Sequence, residues 1–574
     1  MKHSEHYSIR RIKQLLMAFC APRVLLVAVL LVLAVPCVAL FFTENKPLPA
    51  RLCGIVLPVL FYWMMLTLSR NVGRMVWLMF FFIFLSAFQI VLLYLFGQGP
   101  IAVDMFLNIL TTNPGEVSEL LGNLLPAIAT VVLLYIPPLV AATVAVRNKL
   151  RLPGSYVKCR RPMAAGCFLA GMALTICTAM CVPRFSMAKD IFPLNACYNL
   201  VLAVQRAYAT AHYDDTSAAF NFGTSSEHDA DKREIYVLVI GETARADNFA
   251  LCGYSRNTTP LLAKESGLTV FKTALSQSNT THKSVPMLLS AVSAENYDSI
   301  YYHKSIITAF REAGFYTVFL SNQKRNHSFI DFFGAEADRC MFVSDSISGD
   351  ITAQDDVLAD YAKKDIDGSR RKIFIVLHTY GSHFTYNERY TKDGSYFRPD
   401  TDMSALRDNR ASLINAYDNT IRHTDRMLAR LIGMLKDSGA EAAMLYTSDH
   451  GEDIFDDGSS FLHASPVPSY FQLHVPLLIW TSDAYRAAYP DAARALRTNS
   501  VKPVATSLSV FHSMLDIAGL STPYRRDSLS VASLHFAPAP PLYLNDHNEA
   551  ERLEDTGMTD ADMRMFEKIG SWPR

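Results

Sequence analysis

The chain is 574 residues long, half of it hydrophobic, and its 54 basic and 54 acidic residues give a formal net charge of zero. Such a length exceeds one ordinary domain, and a balanced charge gives no reason to expect nucleic acid as a partner. Composition is also split: long apolar stretches dominate to about residue 184, and a soluble mixture of α and β patterns follows from about 230.

Five stretches, 22–42, 52–69, 75–96, 120–146 and 162–183, are apolar enough to cross a bilayer, which takes roughly 20 residues. Five in one block argue against buried helices of a soluble protein. The fourth carries Pro137-Pro138, where a kink is expected. Loop charge sets the orientation. Lys2, Arg10, Arg11, Lys13 and Arg23 flank the first stretch, Arg70 and Arg74 follow the second, and Arg147, Lys149, Arg151, Lys158, Arg160 and Arg161 follow the fourth, whereas 97–119 holds no Lys or Arg. The amino terminus is expected inside and everything after about 184 outside, which in a bacterium means an inner-membrane protein with a periplasmic domain. The first stretch is too long for a signal-peptide core, and no small-residue cleavage site follows it.

Most of the ten cysteines lie in or near the membrane block. Only Cys197, Cys252 and Cys340 fall in the exported part, which allows at most one internal disulfide, with pairing of Cys252 and Cys340 left open. Residues 185–233 read as a linker, with a helix-like run at 196–211 and a polar stretch at 214–232. Beyond it, strand patterns at 235–240, 269–272, 315–321, 373–378, 442–447 and 474–480 alternate with helical patterns at 284–292, 303–313, 352–363, 405–437 and 503–518. Alternation of this kind predicts a largely parallel sheet with helices on both faces. The expected architecture is therefore a five-helix transmembrane domain (1–184), a linker (185–233) and an α/β catalytic domain (234–574).

Two strand patterns end abruptly in metal-binding side chains. Val239-Ile240-Gly241-Glu242-Thr243 closes one, and Thr447-Ser448-Asp449-His450-Gly451-Glu452 closes the other. Open α/β sheets bind ligands at the carboxyl ends of their strands, and a carboxylate–carboxylate–imidazole set suits zinc. Between them, Asn279-Thr280-Thr281-His282-Lys283-Ser284-Val285-Pro286 runs from a polar turn into an apolar helix. A hydroxyl there is positioned for activation by a dication, although a plain helix cap fits the pattern equally well. His378 and His383 follow a strand, and His463 follows Phe461-Leu462. Imidazoles at that edge serve as ligands, phosphate contacts or proton carriers.

In this order the motifs resemble the phosphoethanolamine transferases of the bacterial envelope, which include lipid A-modifying enzymes that confer polymyxin resistance. The resemblance rests on Gly241-Glu242-Thr243-Ala244-Arg245, Gly253-Tyr254-Ser255-Arg256-Asn257-Thr258-Thr259-Pro260, Thr281 with Ser284-Val285-Pro286, His378 to His383, Tyr417-Asp418-Asn419, Ser448-Asp449-His450-Gly451-Glu452 and Leu462-His463. It implies five spans followed by a domain of the alkaline phosphatase and sulfatase type. It also implies zinc bound by Glu242, Thr281, Asp449 and His450, with Thr281, five residues before Pro286, carrying the transferred group. His383 and His463 match positions that contact the phosphoethanolamine or a second zinc, and His378, at the same sheet edge, is a further candidate for substrate contact. Asn108, Thr112 and Glu116 correspond to residues around the donor head group, although Asn113-Pro114-Gly115-Glu116 reads equally as a helix start. The implied donor is phosphatidylethanolamine, the acceptor lipid A or another envelope glycolipid, and a monomer is expected.

The chain departs from the family in two places. Gln277 and Met287 stand where many relatives place a pair of bonded cysteines, and the family's substrate-contacting serine and lysine have no match around 322–328. Two alternatives remain in view: a glycerol-phosphate synthase of the same superfamily, and a non-catalytic envelope sensor. Retention of all four implied ligands argues against the sensor, and the lack of a Cys/Ser-x-Pro-x-Arg string near Thr281 argues against a sulfatase.

Overall fold

The structure is a computed structural model that describes residues 18–111, 114–346 and 353–570. The chain divides into two compact units, Met1–Leu107 with Leu120–Val204, and Asn108–Glu119 with Gln205–Arg574.

In the first unit, Pro22–Thr43, Leu48–Thr67, Leu124–Arg147 and Gly154–Cys181 are long and apolar enough to cross a membrane. A fifth span forms if Val72–Leu78 and Phe80–Phe96, bent by 60° at their junction, count as one. The assigned helix Pro114–Arg147 runs on through Pro126, Pro137 and Pro138. The last helix starts before the apolar run expected from sequence, because Lys and Arg are good helix formers. Its Arg161 also donates to the carbonyls of Thr67 and Leu68. Leu25, Val29 and Leu33 pack with Tyr62, Leu66 and Val76 in this unit's core.

The second unit is built on a seven-stranded sheet. Its strands are β1 (Glu234–Gly241), β2 (Leu268–Phe271), β3 (Tyr316–Ser321), β4 (Arg339–Phe342), β5 (Lys372–His378), β6 (Glu441–Ser448) and β7 (Leu477–Thr481), in the order β2-β7-β6-β1-β5-β3-β4. The five strands from β6 to β4 are mutually parallel, and β7 runs antiparallel to both β6 and β2. Every residue of β1 is buried, as expected for a strand covered on both faces. Tyr236, Leu238 and Ile240 face one core with Val285, Leu288, Phe310, Phe511 and Leu515. The helices Asp356–Ile366 and Arg410–Asp437 contact the sheet at β3 and β5, and at β6, respectively. Within 185–233, Tyr213 and Phe222 are themselves buried in the main core. Cys252 and Cys340 are both free thiols.

Candidate active site

The register of the central strands creates the site. Gly241 on β1 pairs with Ser448 on β6, and Ile240 pairs with His378 on β5. Parallel neighbours in register end together, so Glu242 and Asp449-His450 emerge side by side at the carboxyl edge. Thr281 opens the helix Thr281–Leu288 and brings its hydroxyl to the same place. Thr281 Oγ1 donates to Glu242 at 3.2 Å from Oε1 and lies 3.1 Å from His450 Nε2. His450 Nε2 is 3.2 Å from Asp449 Oδ2 and 3.6 Å from Glu242 Oε1. All four implied ligands are thus brought together. Thr280 sits at the helix cap position, where its Oγ1 is 3.1 Å from Ser278 Oγ and makes no capping bond.

Each side chain is braced from behind. His450 Nδ1 is 2.9 Å from the Gly451 carbonyl, which fixes the proton on that nitrogen and turns the Nε2 lone pair into the cluster. Asp449 Oδ1 accepts from the backbone N–H of His450 (2.7 Å) and Thr243 (3.2 Å), and Oδ2 accepts from Ser284 Oγ at 3.3 Å. Gln323 Nε2 donates to Glu242 Oε2 at 2.8 Å and to the Thr379 carbonyl at 3.0 Å. The turn after β5 presses on Glu242: Ser382 N donates to the Glu242 carbonyl at 2.9 Å. A Cβ on Gly381, whose φ is +56°, would stand 2.6 Å from that same oxygen. Asp355 holds the turn by accepting from Tyr380 N and Gly381 N, both at 2.8 Å.

The histidines expected around the cluster differ in their partners. A ring nitrogen of His463 lies within 4.8 Å of donor atoms of Glu242 and His450, and its ring centroid is 4.4 Å from that of His450 and 5.6 Å from that of His383. His463 Nδ1 is 3.2 Å from Glu452 Oε1, and Glu452 Oε2 accepts from Tyr386 OH at 2.9 Å. His383 Nδ1 is 2.6 Å from the Phe384 carbonyl. His378, fully buried at the end of β5, has its Nδ1 3.1 Å from Ser321 Oγ. Asn108 is half-buried in the helix Val103–Thr111. Thr112 lies outside the described residues, and Glu116 is placed only as part of the helix that begins at Pro114.

Burial governs the electrostatics. It pushes the Glu242 carboxyl well above its usual range, with repulsion from Asp449 adding to the effect, and it raises Asp449 too. Burial also lowers His450 and His463 to about 4 and drives His383 well down, so all three imidazoles are neutral near pH 7. Glu452 is lifted to about 8 by burial. Two desolvated carboxylates beside neutral imidazole nitrogens and a hydroxyl form an oxygen- and nitrogen-rich donor set that fits a dication such as zinc.

Gln323 and the Glu452–Tyr386 brace were not singled out from sequence. Glu452 closes the string Ser448-Asp449-His450-Gly451-Glu452, whereas nothing in the pattern around 322–328 marks an amide aimed at a buried carboxylate. At the positions of the absent cysteine pair, Gln277 Oε1 accepts from Ala294 N at 3.3 Å and Met287 is buried in the core.

Membrane-length helices followed by an α/β domain with buried carboxylates, imidazoles and a hydroxyl gathered at the carboxyl edge of its sheet define the class. Residues 234–520, half the chain, match the sulfatase family, and the chain belongs to it. Phosphoethanolamine transferase EptA of Salmonella typhimurium is 30% identical over 303 residues, covering 51% of this chain and 55% of that protein. The chain thus spans about half the length of the curated relatives it matches. Among solved structures, the integral membrane protein lipooligosaccharide phosphoethanolamine transferase A of Neisseria meningitidis is similar with a TM-score of 0.68 at 21% identity, over 87% of this chain and 97% of that one. The C-terminal periplasmic domain of EptC from Escherichia coli, solved in complex with zinc, gives 0.53 at 24% identity, over 58% and 98%. These two likenesses establish the fold.

Proposed function

We propose that the protein is an inner-membrane, zinc-dependent transferase that moves phosphoethanolamine from phosphatidylethanolamine to lipid A or another envelope glycolipid through a covalent intermediate on Thr281. The observation that carries this reading is the convergence of the Thr281 hydroxyl with Glu242, Asp449 and His450 at one buried edge. The names of the relatives supply the transferred group and the glycolipid class of acceptor. Glu242, Thr281, Asp449 and His450 would hold one zinc; His463, His383 and His378 are assigned to phosphoethanolamine contact or a second ion, and Asn108, Thr112 and Glu116 to the donor head group, on the family resemblance. Zinc supplies Lewis acidity that lowers the pKa of a bound hydroxyl and offsets charge on phosphoryl oxygens.

The chain's own groups support two displacements. In the first, Thr281 Oγ1, hydrogen-bonded to Glu242, gives up its proton and forms a bond to phosphorus. The phosphorus–oxygen bond to diacylglycerol breaks, and the lipid alcohol leaves with a proton. In the second, an acceptor oxygen attacks the same phosphorus, the Thr281 bond breaks, and the threonine hydroxyl is restored. Neutral His383, whose Nδ1 donates to the Phe384 carbonyl, offers its Nε2 to the acceptor's proton. Membership of the polymyxin-resistance group follows only if the acceptor is lipid A.

Incubation with phosphatidylethanolamine and no acceptor should add one phosphoethanolamine to the peptide containing Thr281 and release diacylglycerol. Thr281→Ala should abolish both, while Thr280→Ala weakens them less. Label on glycerol phosphate in place of phosphoethanolamine would identify the synthase alternative. Continued transfer by Thr281→Ala without labelled enzyme would defeat the covalent mechanism.

A further inference from the structure

The helix Leu194–Ala211 follows the last membrane-length helix, and its two sides differ. One side is polar and pinned. Asn195 and Asn199 are buried and donate through Nδ2 to the Ile101 carbonyl at 3.1 and 2.7 Å. Ile101 belongs to the 97–119 connection, whose lack of Lys and Arg places it outside. Asp190, just ahead of the helix, pairs with Lys46 in the connection between the first two spans at 2.8 Å, and the Phe192 carbonyl accepts from Cys37 Sγ at 3.9 Å. The helix is therefore fastened to the outer ends of the membrane helices.

The opposite side is exposed and largely apolar, with Gln205 as its polar residue. Leu194, Val201 and Val204 are 44%, 55% and 58% exposed, with Tyr198 exposed beside them and Tyr208 continuing the stripe. Their spacing puts these residues on one helical face. No charged residue occurs from Ile191 through Gln205.

We propose that this stripe lies in the boundary between head groups and acyl chains of the outer leaflet, so that the helix is an interfacial one whose partner is the lipid surface itself. The attachment favours lipid over a protein partner. Phe42, at the outer end of the first span, and Ile176 and Met180, at the outer end of the last, are also exposed apolar residues, and the Lys46–Asp190 and Cys37–Phe192 contacts tie the start of the striped helix to the outer part of the first span. Tyrosines flanking aliphatic residues are the composition of such interfacial segments. The inference does not depend on the reaction proposed above.

The test uses the full chain in vesicles of phosphatidylethanolamine and phosphatidylglycerol, with the photoreactive residue benzoylphenylalanine in place of Val201. Irradiation should yield lipid adducts, detected by mass spectrometry, within about twofold of those from the same probe at Leu133, which is exposed on a membrane-length helix. The probe at Val501, exposed in the second unit, should give at least about tenfold less. A Val201 yield no higher than that of Val501, or adducts to protein in place of lipid, overturns the assignment. A second variant guards against misfolding. Val201→Glu combined with Val204→Glu should leave the melting temperature in detergent unchanged, yet cut lipid adducts from a probe at Leu194 about tenfold. Unaltered adduct formation in that variant also counts against the proposal.

Discussion

Replacement of Gly381 by alanine tests whether the turn after β5 is what holds Glu242 in place. Gly381 has φ of +56°, and a Cβ there would meet the Glu242 carbonyl oxygen at 2.6 Å and its backbone nitrogen at 2.7 Å. The left-handed conformation costs an alanine about 1–2 kcal/mol, and forcing a methyl into filled space adds about 1–3 kcal/mol. A stiffer unfolded chain returns up to about 1 kcal/mol. The obstacle is backbone and cannot swing aside, so Glu242 itself must shift. Gly314→Ala is the control: its φ is +84°, but nothing lies within 4 Å of the added Cβ. Both variants share the conformational strain, and only Gly381→Ala has the clash. At about 2–4 °C per kcal/mol, Gly381→Ala should melt several degrees below Gly314→Ala in a thermal shift assay of the purified protein. Competition with a chromogenic chelator should then show zinc affinity reduced about 10- to 100-fold in Gly381→Ala, as for loss of an outer-shell support, and unchanged in Gly314→Ala. Equal melting of the two variants together with full zinc affinity in Gly381→Ala would refute the bracing role.

Gln323→Leu removes the amide that holds Glu242 Oε2, and should lower zinc affinity about tenfold with little change in melting temperature, read by the same chelator competition. Chelation of the wild-type protein should abolish diacylglycerol release from phosphatidylethanolamine, and zinc should restore it. His512 is held neutral by burial, its pKa lowered to about 4. Because the unfolded chain takes up that proton first, stability should be complete above about pH 6.5 and fall by up to about 3 kcal/mol as pH drops toward 4. Denaturant melts of wild type and His512→Gln across this range should show a shallower fall in the variant.

Much of the site was legible because two signals coincide in the sequence. A buried parallel strand reads as an unbroken apolar run, and its end is marked when ionisable side chains replace that run, as at Glu242 and Asp449. The six strands read from sequence reappear within a few residues of their observed ends. β4 gives a weak signal because it is four residues long, lies at the sheet edge and opens on Arg339, which leaves an apolar run of only Cys340, Met341 and Phe342 with no β-branched residue. The choice between Thr280 and Thr281 could not come from residue type, since both are threonines one step apart. Helix geometry separates them, turning one hydroxyl toward Glu242 and His450 and the other toward Ser278. Gln323 was illegible for a different reason: a side-chain amide bridging β1 and β5 is a tertiary event with no local pattern.

The same geometry sets stability against ligand binding at Asp449. Two carboxyls buried side by side repel one another and lose hydration, so the metal-free site is a liability that the large core around the sheet offsets. Asp449→Asn should therefore act in opposite directions on the two forms of the protein. Asparagine keeps the shape, and its carbonyl oxygen can go on accepting from the backbone N–H of His450 and Thr243, as Asp449 Oδ1 does. Its amide nitrogen would face Ser284 Oγ, which can accept as readily as it now donates to Oδ2. The substitution thus removes one charge without orphaning a hydrogen bond, and the zinc-free variant should melt at or above zinc-free wild type. With zinc the order should reverse, because a ligand at a thousand times its Kd stabilises by about 4 kcal/mol and the variant forfeits most of that gain. Melting curves of both proteins, with chelator and with zinc, supply the four temperatures needed. If the chelated variant melted well below chelated wild type, Asp449 would be a structural residue first, and the charge-pair account of the site would have to be given up.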